Sequence, residues 1–341
     1  MDTNRRVLQI GAAVISCALF FRLLGGGVME TAAQALSQQT VTKIILFLET
    51  GRTLPTPPPE ETVPPPEASV PTETQPAETQ AILAENPVEL PPPAVFAQSD
   101  AALAEVRNAT GYDIDPAGAL FTPLSWELTG DEPTVLILHT HGTESYVNNE
   151  GYAESSAYRT LDEGYNVVSV GDRLAEMLSQ KGIPVLHDRT LHDYPSYNGS
   201  YSLARETVCQ YLAQYPSIQL VIDLHRDAIT DSSGNQVGHT VSTDGGAAAK
   251  MMLVIGSNYG GLNHPNWQEN FSLGVKLQVQ LEKNQPGICR PISLRSSRFN
   301  QDLTPGMVLV EMGAAGNTRQ EALLSAEILA QAIADLAHGT G

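Results

Sequence analysis

Between Pro55 and Pro93 the chain packs thirteen prolines and seven glutamates into 39 residues, with no lysine or arginine. Proline lacks the amide hydrogen on which helices and sheets depend, and a run this polar has little to bury. The segment reads as an extended acidic linker, and at ~3.1 Å per residue it spans on the order of 120 Å. Everything folded must therefore lie to one side of it or the other. The carboxyl side offers about 240 residues, enough for one sizeable core.

On the amino side, Arg5 and Arg6 precede Val7 to Leu24, a stretch that is apolar apart from Gln9, Ser16 and Arg22, and Gly25-Gly26-Gly27 follows. A basic flank before an apolar run of near-spanning length predicts a membrane anchor over residues 1–27, with its amino end in the cytoplasm and the rest outside. No small-residue cleavage site follows, which favours a retained anchor over a removed signal peptide. Residues 28–94 then form the extracytoplasmic stalk and linker, and residues 95–341 the folded domain. The chain carries 38 acidic against 19 basic side chains, a net charge of −19. That balance argues against nucleic acid as a partner.

Beyond Val95, apolar strand-like runs alternate with amphipathic stretches. Strands are expected at Val135–Leu138, Ile183–Leu186, Leu220–Leu224, Met251–Ile255 and Met307–Val310. Helices are expected from Asn166 to Lys181, Ser202 to Tyr215 and about Trp267 to Lys283, with a last one opened by the capping box Thr318-Arg-Gln-Glu321. Strands separated by helices predict an α/β fold, a mostly parallel central sheet flanked by helices on both faces. Cys209 and Cys289 are expected to be buried hydrophobes, because three cysteines make neither a disulfide framework nor a cysteine-rich zinc module.

In an open parallel sheet, functional groups gather beyond the carboxyl ends of the strands. There the sequence places His139-Thr-His141-Gly-Thr-Glu144-Ser-Tyr146, then Asp223-Leu-His225-Arg226-Asp227, then Val310-Glu311-Met312-Gly313. Two imidazoles and a carboxylate are a usual protein set for catalytic zinc. His141 and Glu144 are close enough in sequence for one loop to present both, and His225 approaches from another strand. Glu311 is then free to act as general base in metal-assisted amide hydrolysis. Arg226 is a candidate for stabilising the oxyanion, and Asp223 or Asp227 for holding a histidine ring. His139 stands as a supporting residue or alternate ligand, and Glu150, Glu154 and Glu163 as replacements for Glu144. His187 and His192 suit a structural or substrate-groove role, and His239, His264 and His338 the surface. No phosphate-binding loop, HExxH motif or GxSxG elbow is present, and Gly256-Ser-Asn258 resembles such an elbow only loosely.

Taken in order, several segments resemble the stage II sporulation protein P family, membrane-anchored cell-wall hydrolases of endospore-forming bacteria. They are Leu136-Ile-Leu-His-Thr-His-Gly-Thr-Glu-Ser-Tyr146, Asn166-Val-Val-Ser-Val-Gly171, His187-Asp188, His192-Asp193-Tyr-Pro-Ser-Tyr197, Ile222-Asp-Leu-His-Arg-Asp-Ala228, Asn300-Gln-Asp-Leu-Thr-Pro305 and Val310-Glu-Met-Gly313 with Asn317-Thr318. The resemblance implies a fold similar to zinc N-acetylmuramoyl-L-alanine amidases and zinc carboxypeptidases. It also implies peptidoglycan as substrate, amidase and endopeptidase activity, and action in engulfment at the membrane, facing the forespore wall, with sporulation proteins D and M. His141 matches the first metal histidine, His225 the second and Glu311 the catalytic glutamate. Related amidases place the ligand glutamate further downstream, where this chain has Glu154 or Glu163. Two other readings share these residues: a membrane-tethered scaffold that binds wall without cutting it, and a zinc carboxypeptidase, which a carboxylate-clamping arginine in the pocket would favour.

Overall fold

The computed structural model describes residues 90–147, 150–152 and 157–340. The chain divides into two units, Met1–Glu73 and Thr74–Gly341, and every described residue belongs to the second. The expected anchor and the linker up to residue 89 lie outside the described residues. Among those described, no helix is long and apolar enough to cross a membrane.

The elements follow in the order β1 (Val106–Asn108), α1 (Pro116–Phe121), β2 (Val135–Leu138), α2 (Val167–Gln180), β3 (Val185–His187), α3 (Ser200–Gln214) and β4 (Leu220–Asp227). A hairpin of β5 (Thr240–Thr243) and β6 (Gly246–Ala249) comes next, then β7 (Met251–Ile255), α4 (Trp267–Asn284), β8 (Ile292–Leu294), β9 (Met307–Ala314) and α5 (Arg319–Asp335). Local chemistry explains several boundaries. Asn166 Oδ1 accepts from Val168 N at 2.9 Å and starts α2, while Thr318 and Glu321 close the expected capping box at α5. Each satisfies amides that the first turn leaves unpaired.

The main sheet runs β1-β8-β7-β9-β4-β2-β3. Its neighbours are parallel except for β7 and β9, which are antiparallel. The sheet is thus mostly parallel, as expected, but built of two parallel halves that run in opposite directions. The passage from β4 to β7 contains the β5–β6 hairpin and no helix among its described elements. Without a helical crossover the chain is not carried back to the end from which β4 started.

The two faces differ. On the first, α2, α4 and α5 bury Val135, Ile137, Leu220, Ile222, Leu224, Leu253, Val308 and Val310 in the main core. Alternate positions on the same strands turn to the second face. There Leu136, Leu138, Val221 and Met307 pack against Ala204, Val208 and Tyr211 of α3. Further along that face, Met252, Val254 and Leu309 form a small separate cluster with Phe299 and no helix over them. The expectation of helices covering both faces holds for the first face and fails here, because α3 spans only the β2–β4 part. Cys209 is exposed and Cys289 half-buried, both as free thiols. Cys209 corrects the expectation of burial: α3 meets the sheet through Val208, and the next residue is turned about 100° away. His264 corrects the opposite expectation, since it is fully buried.

Lys276, on α4, is wholly buried and donates to Ala119 O at 2.8 Å and Ser272 Oγ at 2.9 Å. Burial lowers its pKa to about 8. Between that value and the ordinary ~10.4 the unfolded chain holds more protons than the folded one, so stability rises with pH across this window. The cost of keeping the ammonium buried, on the order of 3 kcal/mol, is fully present below pH 8 and disappears above about pH 10.5. Relative to Lys276→Met, the wild type is expected to gain stability between pH 7.5 and pH 10.5. Urea unfolding of both proteins at the two pH values measures it, and a constant difference between them refutes it.

Candidate active site

His225 and Glu311 were expected just past the ends of their strands, but β4 and β9 continue through them. The two residues are direct register partners, and Met252 lies opposite Glu311 on the other side. Both polar residues fall on the part of the second face that no helix covers. Together with His141, Glu144, Tyr197, Tyr201, Phe299 and Arg295 they line a pocket of about 340 Å³. A larger cleft of about 840 Å³, beside Trp126, Trp267 and Gly306, contains none of the candidate residues.

The loop after β2 brings His141 and Glu144 into this pocket. It is pinned on one side by Asp193, which accepts from Thr143 N at 3.1 Å and Thr143 Oγ1 at 2.6 Å. Arg159 bridges Asp193 at 2.5 Å and Glu144 at 3.3 Å. On the other side, Tyr146 is fully buried and donates to Met312 O of β9 at 3.0 Å. These bonds give Thr143, Glu144, Tyr146 and Asp193 structural reasons to occur together.

Glu144 Oε2 lies 3.6 Å from His225 Nδ1, and His225 Nε2 lies 2.9 Å from Asp223 Oδ1. The His141 and His225 rings stand edge to face with centroids 5.2 Å apart, and Tyr197 stacks on His141 at 4.4 Å. A register shift between His225 and Asp227 marks a bulge, and there the Arg226 amide leaves the ladder to donate to Glu144 Oε2 at 3.1 Å. The Arg226 guanidinium donates to Ser145 O at 2.9 Å and Tyr158 O at 3.0 Å, and approaches Glu144 Oε1 at 3.5 Å. It braces the loop that carries Glu144. Of the two aspartates considered for supporting a histidine, Asp223 faces His225, whereas Asp227 pairs with Arg290 at 2.6 Å.

Electrostatics separate the groups. Burial works against charge at Glu144, but His225 and Arg226 outweigh it and hold the carboxyl at about 2. Burial raises Glu311 to about 8, opposed by His225 and reinforced by Glu144. His225 is disfavoured as a cation by burial, yet the carboxylates of Asp223 and Glu144 lift it well above its ordinary value. His141 is lowered to about 4, by burial first and by His225 second.

The donor types suit a zinc ion, two imidazoles and a carboxylate. Two buried atoms of the pocket residues, His141 Nδ1 and Glu311 Oε2, have no hydrogen-bond partner, which is unusual for buried polar atoms and marks a place for a ligand; His225 Nε2 instead faces Asp223 Oδ1 at 2.9 Å. As the side chains stand, no three His, Cys, Asp or Glu residues among those described form a group that could hold a metal. The donors are gathered at one place without converging on one point.

The remaining candidates separate from the site. His139 packs beneath α2, with Nδ1 on Leu224 O and Nε2 on His187 Nε2, both at 2.8 Å. Those contacts make it neither a ligand nor a support for His225, because the chain leaves the strand after Leu138. His192 bridges His139 O and Thr207 Oγ1, a structural role, as expected for one of the two alternatives. Glu163 is half-buried and pairs with Arg189, and Glu150 pairs with Arg319. Glu154 lies outside the described residues.

The family model for stage II sporulation protein P (SpoIIP) matches residues 57–334. The chain belongs to this family. A SpoIIP relative from Bacillus subtilis (strain 168), stage II sporulation protein P, is 29% identical over 267 residues, 73% of this chain and 62% of the relative. The chain therefore spans less than two thirds of that relative's length. Among solved structures, the N-acetylmuramyl-L-alanine amidase Ami1 from Mycobacterium smegmatis gives a TM-score of 0.36 at 14% identity, over 61% of this chain and 97% of that one. The CwlD amidase from Clostridioides difficile, in complex with the GerS lipoprotein, gives 0.37 at 14% identity, over 60% and 94%. Overlaps at this level carry no argument about chemistry.

Within the span matched by the SpoIIP family, the site residues that motifs and spacing do not single out are Arg159, Asp193, Tyr197 and Tyr201. None belongs to a metal or nucleophile motif. The segment His192-Asp193-Tyr-Pro-Ser-Tyr197 did hold the signal, since it joins a charged group and an aromatic to a turn, but only the fold carries it to His141.

Proposed function

We propose that this SpoIIP chain is a peptidoglycan hydrolase that cuts the amide between muramic acid and the stem peptide, acting at the cell envelope during sporulation. The observation that carries the reading is the pairing of His225 with Glu311 on a part of the sheet that no helix covers, with His141 and Glu144 delivered to the same pocket by a pinned loop. Family membership supports the substrate class. In the same reading residues 1–27 anchor the protein in the membrane, residues 28–94 space it, residues 95–341 cut, and sporulation proteins D and M are its partners. Endopeptidase activity on cross-links is a further expectation of the resemblance.

His141, Glu144 and His225 are proposed to hold zinc. When bound, zinc supplies Lewis acidity that polarises the scissile carbonyl and makes water a better nucleophile. In its ionised form, which dominates above about pH 8 with the side chains as they stand, Glu311 accepts a proton from the attacking water and returns it to the departing alanine nitrogen, so the C–N bond breaks without releasing an unprotonated amide anion. Asp223 orients His225. Arg226 and Arg159 hold Glu144 in place, and Tyr197 limits the motion of His141.

The test uses the full chain in detergent with purified peptidoglycan, and products are identified by mass. Stem peptides with free alanine amino termini are expected, abolished by chelation and restored by zinc. Metal analysis is expected to give about one zinc per chain in the wild type and a large loss in His225→Ala. Wall binding with no cleavage at full zinc loading would move the reading to a scaffold.

A further inference from the structure

Two arginines line the pocket, Arg226 and Arg295. The first is committed to backbone carbonyls and Glu144. Arg290 and Arg298, the other arginines near this rim in sequence, are paired with Asp227 and Asp302. The Arg295 side chain is exposed and has no hydrogen-bond or ion-pair partner among the described residues. Carboxylates outnumber cations two to one along this chain, yet none among the described residues pairs with this guanidinium.

Its backbone, by contrast, is tightly fixed. Arg295 N donates to Ile255 O at 2.8 Å, Ser257 Oγ donates to Arg295 O at 2.7 Å, and Ser257 N and Gly260 N donate to Ser297 O and Ser296 O at 3.1 and 3.0 Å. A Cβ on Gly256 would lie 2.5 Å from Ser297 O, and one on Gly260 2.6 Å from Ser296 O. The Gly256-Ser-Asn258 turn is thus no nucleophile elbow. It is a clamp that two close backbone approaches require to be glycine-bearing. The result is a rigid loop that presents one free guanidinium to the pocket holding Glu311. A planar fork of donors with no partner among the described residues, on a fixed backbone, is suited to a carboxylate supplied from outside.

We propose that Arg295 recognises an internal carboxylate on the leaving stem peptide and thereby sets substrate preference. The inference rests on the hydrolase reading above. A terminal carboxylate on the same arginine would instead suit the carboxypeptidase reading, and the terminally amidated ligand separates the two.

The experiment compares three muropeptides: one with all carboxylates free, one amidated at the internal carboxylate of the second stem residue, and one amidated at the terminus. With the zinc-loaded full chain, Arg295→Gln is expected to raise KM for the free substrate about tenfold with kcat little changed. Amidating the internal carboxylate is expected to cost the wild type the same factor and the variant nothing further, while Arg295→Lys recovers part of the loss. Calorimetric binding of the same ligands to Glu311→Gln, with and without Arg295→Gln, gives the same comparison without turnover. A wild type that binds with this carboxylate dependence but cuts nothing would overturn the hydrolase reading and leave Arg295 assigned. Equal losses on free and internally amidated ligands, or a loss that follows only the terminal amide, would overturn the assignment.

Discussion

Replacing Glu311 with glutamine is expected to lower peptidoglycan hydrolysis by about 10²–10⁴-fold, the usual contribution of a positioned general base. The side chain is closed in by Met252 and His225 on the neighbouring strands. Its Oε2 has no hydrogen-bond partner, so no structural bond is lost on substitution. Glutamine keeps the volume and removes only the ability to take and return a proton. Zinc content and melting temperature are therefore expected to stay near wild type, and kcat to carry the whole effect. Mass-resolved release of stem peptides, read beside metal analysis and thermal unfolding, checks this. Turnover that survives the substitution would remove Glu311 from the mechanism.

The largest expected effect on stability comes from Gly171→Val. Gly171 lies on the buried side of α2, and a Cβ there would stand 2.5 Å from His187 Nε2 and 2.7 Å from His139 Nε2. Neither ring has room to retreat. His139 is tied to Leu224 O and His187 to Asp172, so the helix itself must move off the sheet. Overpacking of this kind costs about 1–3 kcal/mol, and the added branch brings it to the upper end. For a domain of this size a loss of 3 kcal/mol lowers the melting temperature by roughly 6–12 °C. The site lies across the sheet from this contact, so the remaining folded protein is expected to keep its zinc stoichiometry. A melting temperature within a degree or two of wild type would show that α2 does not hold these rings.

Much of the fold was legible because apolar runs and capping residues are local signals. Val135–Leu138 and Met251–Ile255 form strands with the expected ends, and Thr318 and Glu321 form the expected capping box, while Asn166, expected as the first helical residue, caps α2 instead. Short strands such as Val106–Asn108 and Ile292–Leu294 were missed, since three residues give no period to read. The ends of β4 and β9 were misplaced for a related reason. The apolar runs end at Leu224 and Val310, but a strand whose second face carries no helix goes on with polar residues at alternate positions. His225 and Glu311 are those positions.

The sequence by itself determined the acidic linker, the alternation of strands and helices, and the chemistry-bearing segments His139–Tyr146, Asp223–Asp227 and Val310–Gly313. These follow from composition, apolar period and residue type, which are properties of neighbours along the chain. Only the tertiary structure decided which of the histidines share a pocket. His139 and His141 are two residues apart, yet one is buried under α2 against His187 while the other faces His225. It likewise decided that Arg226 braces a loop while Arg295 has no partner among the described residues. The reason is physical: a side chain's partners are set by the sheet register and by which face a helix covers, and both depend on strands that lie far apart in sequence.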